Sequence, residues 1–290
     1  MGRRHRTEFG ESLAMNQFTW RQYYDRLRQL SMVVFEYEGM PEEIDQRFLE
    51  KTLFNKGNAL FFRDEEMGKF LCLPSANLGK WSVYDVPKSR RAYASNGYQR
   101  NLTDKDSVII YNNYLRTPSR LDVEMFAKRL YNIDRAIDVN VNGQKTPLIL
   151  LCEESERLSY LNLYKEYDGG APIIKGTKDL DLDNFRAVTT GAPYVADKLY
   201  DLKTQIWNEA LTYLGIVNVS FQKRERMVTD EVDRMLGGTY ASRYSRLLAR
   251  QQAFDQINEM YGLNIVVKYR DEFDSTAEYS DTQKGGEDDE

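Results

Sequence analysis

The stretch from Pro193 to Gly215 constrains the fold of this chain more than any other. Its apolar residues Val195, Leu199, Leu202, Ile206 and Ala210 keep helical spacing over four turns, with Trp207, Leu211 and Leu214 beside them. The remaining face, Asp197, Lys198, Asp201, Gln205, Asn208 and Thr212, is polar throughout. Such a helix packs along one side and meets water along the other. Pro193 suits its start and Gly215 its stop. A matching helix is predicted upstream. Thr117 and Pro118 open it, Phe126, Leu130, Ile133 and Ile137 form its stripe, and Asp122, Lys128, Arg129 and Asp134 lie mostly off that stripe. It should run to Val139, with Asn142 and Gly143 as the stop. Between the two lies a compact insertion opened by TPLILLCEES, with strand runs at Leu148 to Leu151 and Ala171 to Ile174 around the helical turn LSYLNLYKEY. Two long helices flanking a small β insertion predict a stem with a cap at its far end.

The rest of the chain reads as α+β. A helix is predicted from Phe18 to Tyr37, because Trp20, Tyr23, Tyr24, Leu27, Leu30 and Val34 recur at helical spacing until Gly39 and Pro41 end the pattern. PEEIDQRFLEKTLF follows as a second helix with acids in its first turn. The period then changes. NALFFRD and KFLCLP read as a hairpin around a turn ending at Gly68, and SVYDV and DSVIIYNN as further strands. Beyond Gly215 comes the charged stretch ERMVTDEV, Glu225 to Val232, then a break at Gly237 and Gly238. A helix from Ala241 to Tyr261 turns Leu247, Leu248, Phe254 and Ile257 inward, and LNIVVKYR is a strand.

Charge is unevenly placed. The total is −5, yet residues 271–290 hold nine acids against Lys284, a net of −8, which leaves about +3 for residues 1–270. That tail has the composition of a disordered segment. The start is basic, with Arg3, Arg4 and Arg6 around His5, an arm suited to phosphate or simply a solvated terminus. Cys72 and Cys152 lie in apolar runs far apart, which implies buried thiols and a reducing compartment. No apolar run of about 18 residues is present and the opening residues lack an apolar signal core, so neither secretion nor a membrane span is expected.

Residue types also weigh against catalysis. His5 is the only histidine, so histidine-dependent triads and histidine-rich metal sites have no material. NGQKT, Asn142 to Thr146, lacks the glycine and the Gly-Lys pair of a phosphate-binding loop and reads as a turn. Asp179, Asp181 and Asp183 of DLDLD would share one face of an extended chain, where they would either hold a divalent ion or line a solvated edge. No enzyme class, cofactor or resident metal is expected.

Longer runs carry a resemblance. KTPLIL (Lys145 to Leu150), APYVADKL (Ala192 to Leu199), IWNEALTYLGI (Ile206 to Ile216), KRERMVTDEV (Lys223 to Val232) and INEMYGLNIVVKYR (Ile257 to Arg270) resemble the upper collar proteins of small short-tailed phages with protein-primed DNA replication. These are the head-to-tail connectors, or portals. The likeness is dense from Thr117 to Arg270 and thinner before it, where VIIYNN (Val108 to Asn113) and FLEK (Phe48 to Lys51) still match.

The resemblance implies a ring of twelve subunits, a virion component at one capsid vertex, assembled in the host cytoplasm. Double-stranded DNA would be packaged and ejected through its axial channel. Residues 1–116 and 241–270 would form an α+β wing, 117–145 and 192–216 a stem of tilted helices, 146–191 a β-containing clip, and 217–240 a channel loop, followed by the acidic tail 271–290. Lys198 resembles a channel lysine of the family, with Asp197, Asp201 and Gln205 on the same polar face. The family's second channel lysine falls at Thr189 here, so a second ring requires Arg186 in its place. In the loop, Lys223, Arg224 and Arg226 would brush phosphates while Glu225, Asp230 and Glu231 limit adhesion, giving a valve against slippage rather than a tight binder. Arg3, Arg4 and Arg6 resemble the family's N-terminal basic segment, which contacts DNA or, in some members, a packaging RNA. Implied partners are a separate packaging ATPase, capsid and scaffold proteins, and a lower collar or tail protein at the clip. The competing readings are a monomeric nucleic-acid-binding protein and, from the acids of DLDLD, a metal nuclease.

Overall fold

The computed structural model describes residues 2–144, 148–150, 185–187, 193–217 and 229–270, in two compact units. One comprises 1–131 and 204–290, the other 132–203.

The first unit is organised around β2 (Asn58–Asp64), which forms an antiparallel three-stranded sheet with β3 (Lys69–Leu73) and β7 (Ser107–Tyr111). The predicted hairpin and the predicted strand in DSVIIYNN are therefore present. Leu60, Phe61 and Phe62 are all fully buried, because both faces of this sheet are covered. Ala59 and Phe61 join one core with Leu49 and Leu53 of α2 (Gln46–Lys56), and with Phe254 and Ile257 of a long C-terminal helix. Leu60 and Phe62 turn to the other side, against Ala92 and Leu102 of a second sheet, β4 (Ser75–Asn77), β5 (Ser89–Tyr93) and β6 (Gln99–Thr103). Alternation along β2 thus serves two cores at once.

Several local expectations are corrected. Helix α1 spans Gly2–Val33 and stops before Tyr37, because Phe35–Glu38 is strand β1, paired antiparallel with β10 (Val266–Tyr269). Val34 and Tyr37 extend the helical spacing while Phe35 and Tyr37 alternate as in a strand, and pairing with Tyr269 and Val267 decides for the strand. Helix α2 begins only at Gln46, where Asp45 accepts from the amide of Phe48 at 3.0 Å. Ser82 to Val86 forms a turn rather than a strand. Ser82 Oγ accepts from the amides of Tyr84 and Val86, and Asp85 adopts φ 55°. Short polar side chains won there over β-branched composition. The β4–β5–β6 sheet was not foreseen, since SRRAY and QRNLT carry too few apolar residues to announce strands. Buried Arg90 ties it in, donating from Nε to Pro87 O at 2.8 Å and from Nη1 to Ser107 O at 2.6 Å.

Helix α3 (Arg120–Gln144) passes the expected stop at Asn142–Gly143, so the start of NGQKT is helical and not a turn. The stem-like helix α4 (Ala196–Leu214) starts just beyond the predicted Pro193 and ends, as predicted, at Gly215, which has φ 75°. Helix α5 (Thr229–Tyr261) runs through the predicted break at Gly237–Gly238. Glycine costs a helix interior about 0.5–1 kcal/mol, which raises its energy without terminating it. In the second unit, β8 (Leu148–Leu150) pairs antiparallel with β9 (Phe185–Ala187), a strand not foreseen. Ala171 to Ile174, LSYLNLYKEY, Cys152 and the acids of DLDLD lie outside the described residues.

Candidate functional site

Helices α3 and α4 are joined by polar pairs in both units. In the first, Tyr213 Oη donates to Asp122 Oδ2 at 2.6 Å and Arg129 Nη1 meets Glu209 Oε2 at 3.2 Å, while Phe126 and Tyr213 rings lie 5.8 Å apart. Beside these contacts, Arg26 of α1 lies 4.4 Å above the Trp207 ring. In the second, Lys203 Nζ lies 2.6 Å from Asp134 Oδ1, and Asn140 clasps the start of α4. Its Nδ2 donates to Pro193 O at 2.9 Å and its Oδ1 accepts from the amide of Val195 at 3.0 Å. Partners run in opposite order along the two helices, so these are antiparallel.

With one side of α4 used in this way, Asp197, Lys198, Asp201 and Gln205 are exposed, as expected of the polar face. The apolar stripe is less complete than its spacing suggested, because Leu202 is 43% exposed. Lys198 is the third residue of the helix, where the aligned peptide dipoles favour anions. Asp197 gains from that position and accepts from Tyr194 Oη at 3.3 Å, whereas the lysine is placed against the dipole. Helix stability does not account for a cation at this point.

The other predicted residues are not brought to α4 by anything described. Lys223, Arg224, Glu225 and Arg226 lie outside the described residues, as does Thr189. Asp230 and Glu231 begin α5, so they sit on a helix and not in the predicted loop; an acid-rich first turn favours helix over loop. Arg3, Arg4 and Arg6 of the basic N-terminal arm fall in the first turns of α1, and Arg186 lies on β9.

Sequence reasoning missed an arginine row on the inner face of α5. Arg250 is wholly buried. It donates from Nη2 to Glu50 Oε2 at 3.1 Å and to Asn112 Oδ1 at 3.2 Å, from Nε to Glu50 Oε1 and Tyr37 Oη at 3.3 Å each, and lies 3.9 Å from the Phe35 ring centre. Tyr37 Oη also donates to Glu50. Burial opposes the charge on Arg250, but the Glu50 carboxylate and Tyr37 hold its pKa above the ordinary value. Burial beside Glu50 raises Tyr37 well above the usual phenol. One turn back, Arg246 is buried and its pKa is lowered by desolvation. Arg243, Arg246 and Arg250 share helical spacing with Phe254 and Ile257, which was the available signal. Among the described residues no group of three or more potential metal ligands occurs, and no helix is long and apolar enough to cross a membrane.

Comparison with known proteins places the chain in a family. The family model for the phage connector (GP10) matches residues 7–274. Among solved structures, the chain is similar to one in the portal and tail of native bacteriophage P68, with a TM-score of 0.52 and 19% identity over 96% of this chain and 95% of that one. It also matches an HK97 family phage portal protein from Corynebacterium diphtheriae, with a TM-score of 0.41 and 14% identity over 85% and 91% of the two chains. The portal of P68 establishes a shared fold, and the family is a structural one that assembles as an oligomer with capsid and tail proteins. The chain belongs to the phage connector family, which occupies the portal vertex between the head and tail of a virion.

Proposed function

We propose that the chain is one subunit of a twelve-membered portal ring through which double-stranded DNA is packaged and later ejected. The observation that carries this reading is the exposed face of α4, where Lys198 stands in the first turn against the helix dipole. Rotational symmetry turns one such side chain into a band of positive potential, and Asp197 and Asp201 temper it so that phosphates pass without being held. Wing (1–116 and 241–270), stem (117–145 and 192–216) and clip (146–191) divide the subunit. Leu121 and Met125, 65% and 51% exposed one turn apart on α3, suit packing against the next copy in a ring.

The stretch from Lys223 to Arg226, with Asp230 and Glu231 beyond it, is read as the DNA-touching valve that resists slippage. Arg3, Arg4 and Arg6 contact DNA or a packaging RNA at the other extreme of the chain. The protein performs no catalysis. A separate ATPase drives packaging, the capsid and scaffold receive the wing, and a lower collar or tail protein receives the clip.

Native mass spectrometry of the purified protein, with negative-stain images of the same sample, tests the ring. About twelve copies around a central hole are expected. A stable monomer, with scaffold and capsid protein supplied, refutes the ring. Lys198→Ala in assembled rings tests the channel, because packaging that keeps its wild-type salt dependence removes the lysine band from the mechanism.

A further inference from the structure

The C-terminal turn of α4 is closed twice. Within the chain, the amide of Gly215 donates to Thr212 O at 3.0 Å and that of Ile216 to Leu211 O at 2.9 Å, the paired bonds of a helix ended by a left-handed residue. The carbonyls of Leu214 and Gly215 are left over, as helix ends require. Both are taken by guanidinium groups from α5. Arg246 Nη1 donates to Leu214 O at 2.6 Å, and Arg243 Nε to Gly215 O at 2.6 Å. These bonds are charge-assisted and put cations at the negative end of the dipole.

The donors are themselves held. Arg243 lies 4.7 Å from the Tyr269 ring and Arg246 lies 5.2 Å from the Phe35 ring, residues that face each other across β1 and β10. Arg246 Nη2 also reaches Ser31 Oγ at 3.4 Å, at the end of α1. A Cβ at position 215 would meet Tyr269 Oη at 2.7 Å and Arg243 Cγ at 2.8 Å, so the packing accepts only glycine there. Helix termination alone does not demand this arrangement. Helices α2 and α5 end on the left-handed Gly57 and Gly262 through the chain's own bonds, Gly57 to Leu53 O and Gly262 to Asn258 O. At α4 two charged side chains, one of them buried at a cost in desolvation, have been added to a turn that already closes.

We infer that Arg243 and Arg246 are positioning residues that weld the end of α4 to α5 and the β1–β10 sheet, so that the chain leaves the channel helix from a fixed point while DNA moves past. The inference rests on the portal reading above. A helix end held only by its own turn opens more readily than the core around it, and an opened end would pass any axial drag on to the residues that follow. With Leu214 and Gly215 tied to side chains stacked on a sheet, that drag is spread over the core.

The test uses full-length rings in an in vitro packaging reaction. Arg243→Met removes the donor and the charge while keeping an unbranched stem over Tyr269. A deletion of residues 223–226 is run beside it. Two readouts are taken: hydrogen exchange of the Gly215 and Ile216 amides, and the length of nuclease-protected DNA retained after packaging stops. Rings of wild-type mass are expected, with exchange faster by about tenfold or more, as loss of a bond to a charged group allows. Retained DNA should fall toward the deletion's value. Wild-type retention in Arg243→Met, when the deletion loses DNA, overturns the inference. Wild-type retention in the deletion overturns the valve reading instead, and the inference with it. Should Arg243→Met rings not form, Arg243→Lys carries the same readouts, since it keeps the cation over Tyr269 and loses the planar donor.

Discussion

Replacing Arg250 by methionine removes the most heavily used donor in the core. Its guanidinium makes four bonds of 3.1 to 3.3 Å to Glu50, Tyr37 and Asn112, besides one to the carbonyl of Asn112. Methionine keeps most of the aliphatic stem, so the packing loss is small and the main effect falls on Glu50, whose side chain is 5% exposed. A carboxylate left buried without its cation costs about 3–5 kcal/mol. At about 2–4 °C per kcal/mol for a chain of this order, the melting temperature should fall by about 6–20 °C. Scanning calorimetry of wild-type and variant protein at one matched concentration measures this, because assembly adds to apparent stability. The double variant Arg250→Met with Glu50→Leu removes both charges and should recover more than half of the loss. A single variant that loses less than about 1 kcal/mol, or a double variant no better than the single, would show that the pair is not an interdependent buried unit.

Three further outcomes are expected. Gly215→Ala should destabilise by more than about 1 kcal/mol, since position 215 combines φ 75° with contacts that leave no room for a Cβ, whereas Gly237→Ala should stabilise by about 0.5–1 kcal/mol because nothing lies within 4 Å of its Cβ; urea unfolding of both variants checks the opposite signs. Asp64 accepts from Tyr98 Oη and from the amides of Met67 and Glu66, and chiefly the Tyr98 bond holds its pKa below the ordinary carboxylate range. A depressed folded-state value means stability that is present above about pH 4 and lost as pH falls through it, so the acid side of a stability–pH curve should flatten in Asp64→Asn, and unchanged slopes would dismiss the contribution. Burial pushes the Cys72 thiol to about 12, so in a Cys152→Ser background a thiol reagent at about pH 8 should react only as fast as the protein unfolds.

What could be read from the chain depended on how far each pattern extended. Helix α4 was legible because four turns of consistent spacing leave no competing period, and its stop because Gly215 falls where the apolar stripe ends and glycine takes the left-handed turn without strain. Runs of four or five residues were not. FEYE becomes a strand through Val266–Tyr269 at the far end of the chain, and SRRAY and QRNLT by pairing with each other and with Ser75–Asn77; none carries its own period long enough to say so. The glycine pair at 237–238 misled for a related reason, since a local penalty of about 1 kcal/mol per glycine is outweighed when the helix around it packs on a core.

The candidate site divides in the same way. The polar face of α4 and the position of Lys198 follow from spacing alone, because the period that buries Ile206 and Ala210 must expose Asp197, Lys198, Asp201 and Gln205. The role of Arg243, Arg246 and Arg250 does not. Arginines on a helix read as solvated until Glu50, Asn112 and the end of α4, drawn from distant parts of the chain, converge on them. Periodicity says which face of a helix turns inward, but only tertiary structure brings together the carboxylate and carbonyls that make a buried guanidinium affordable.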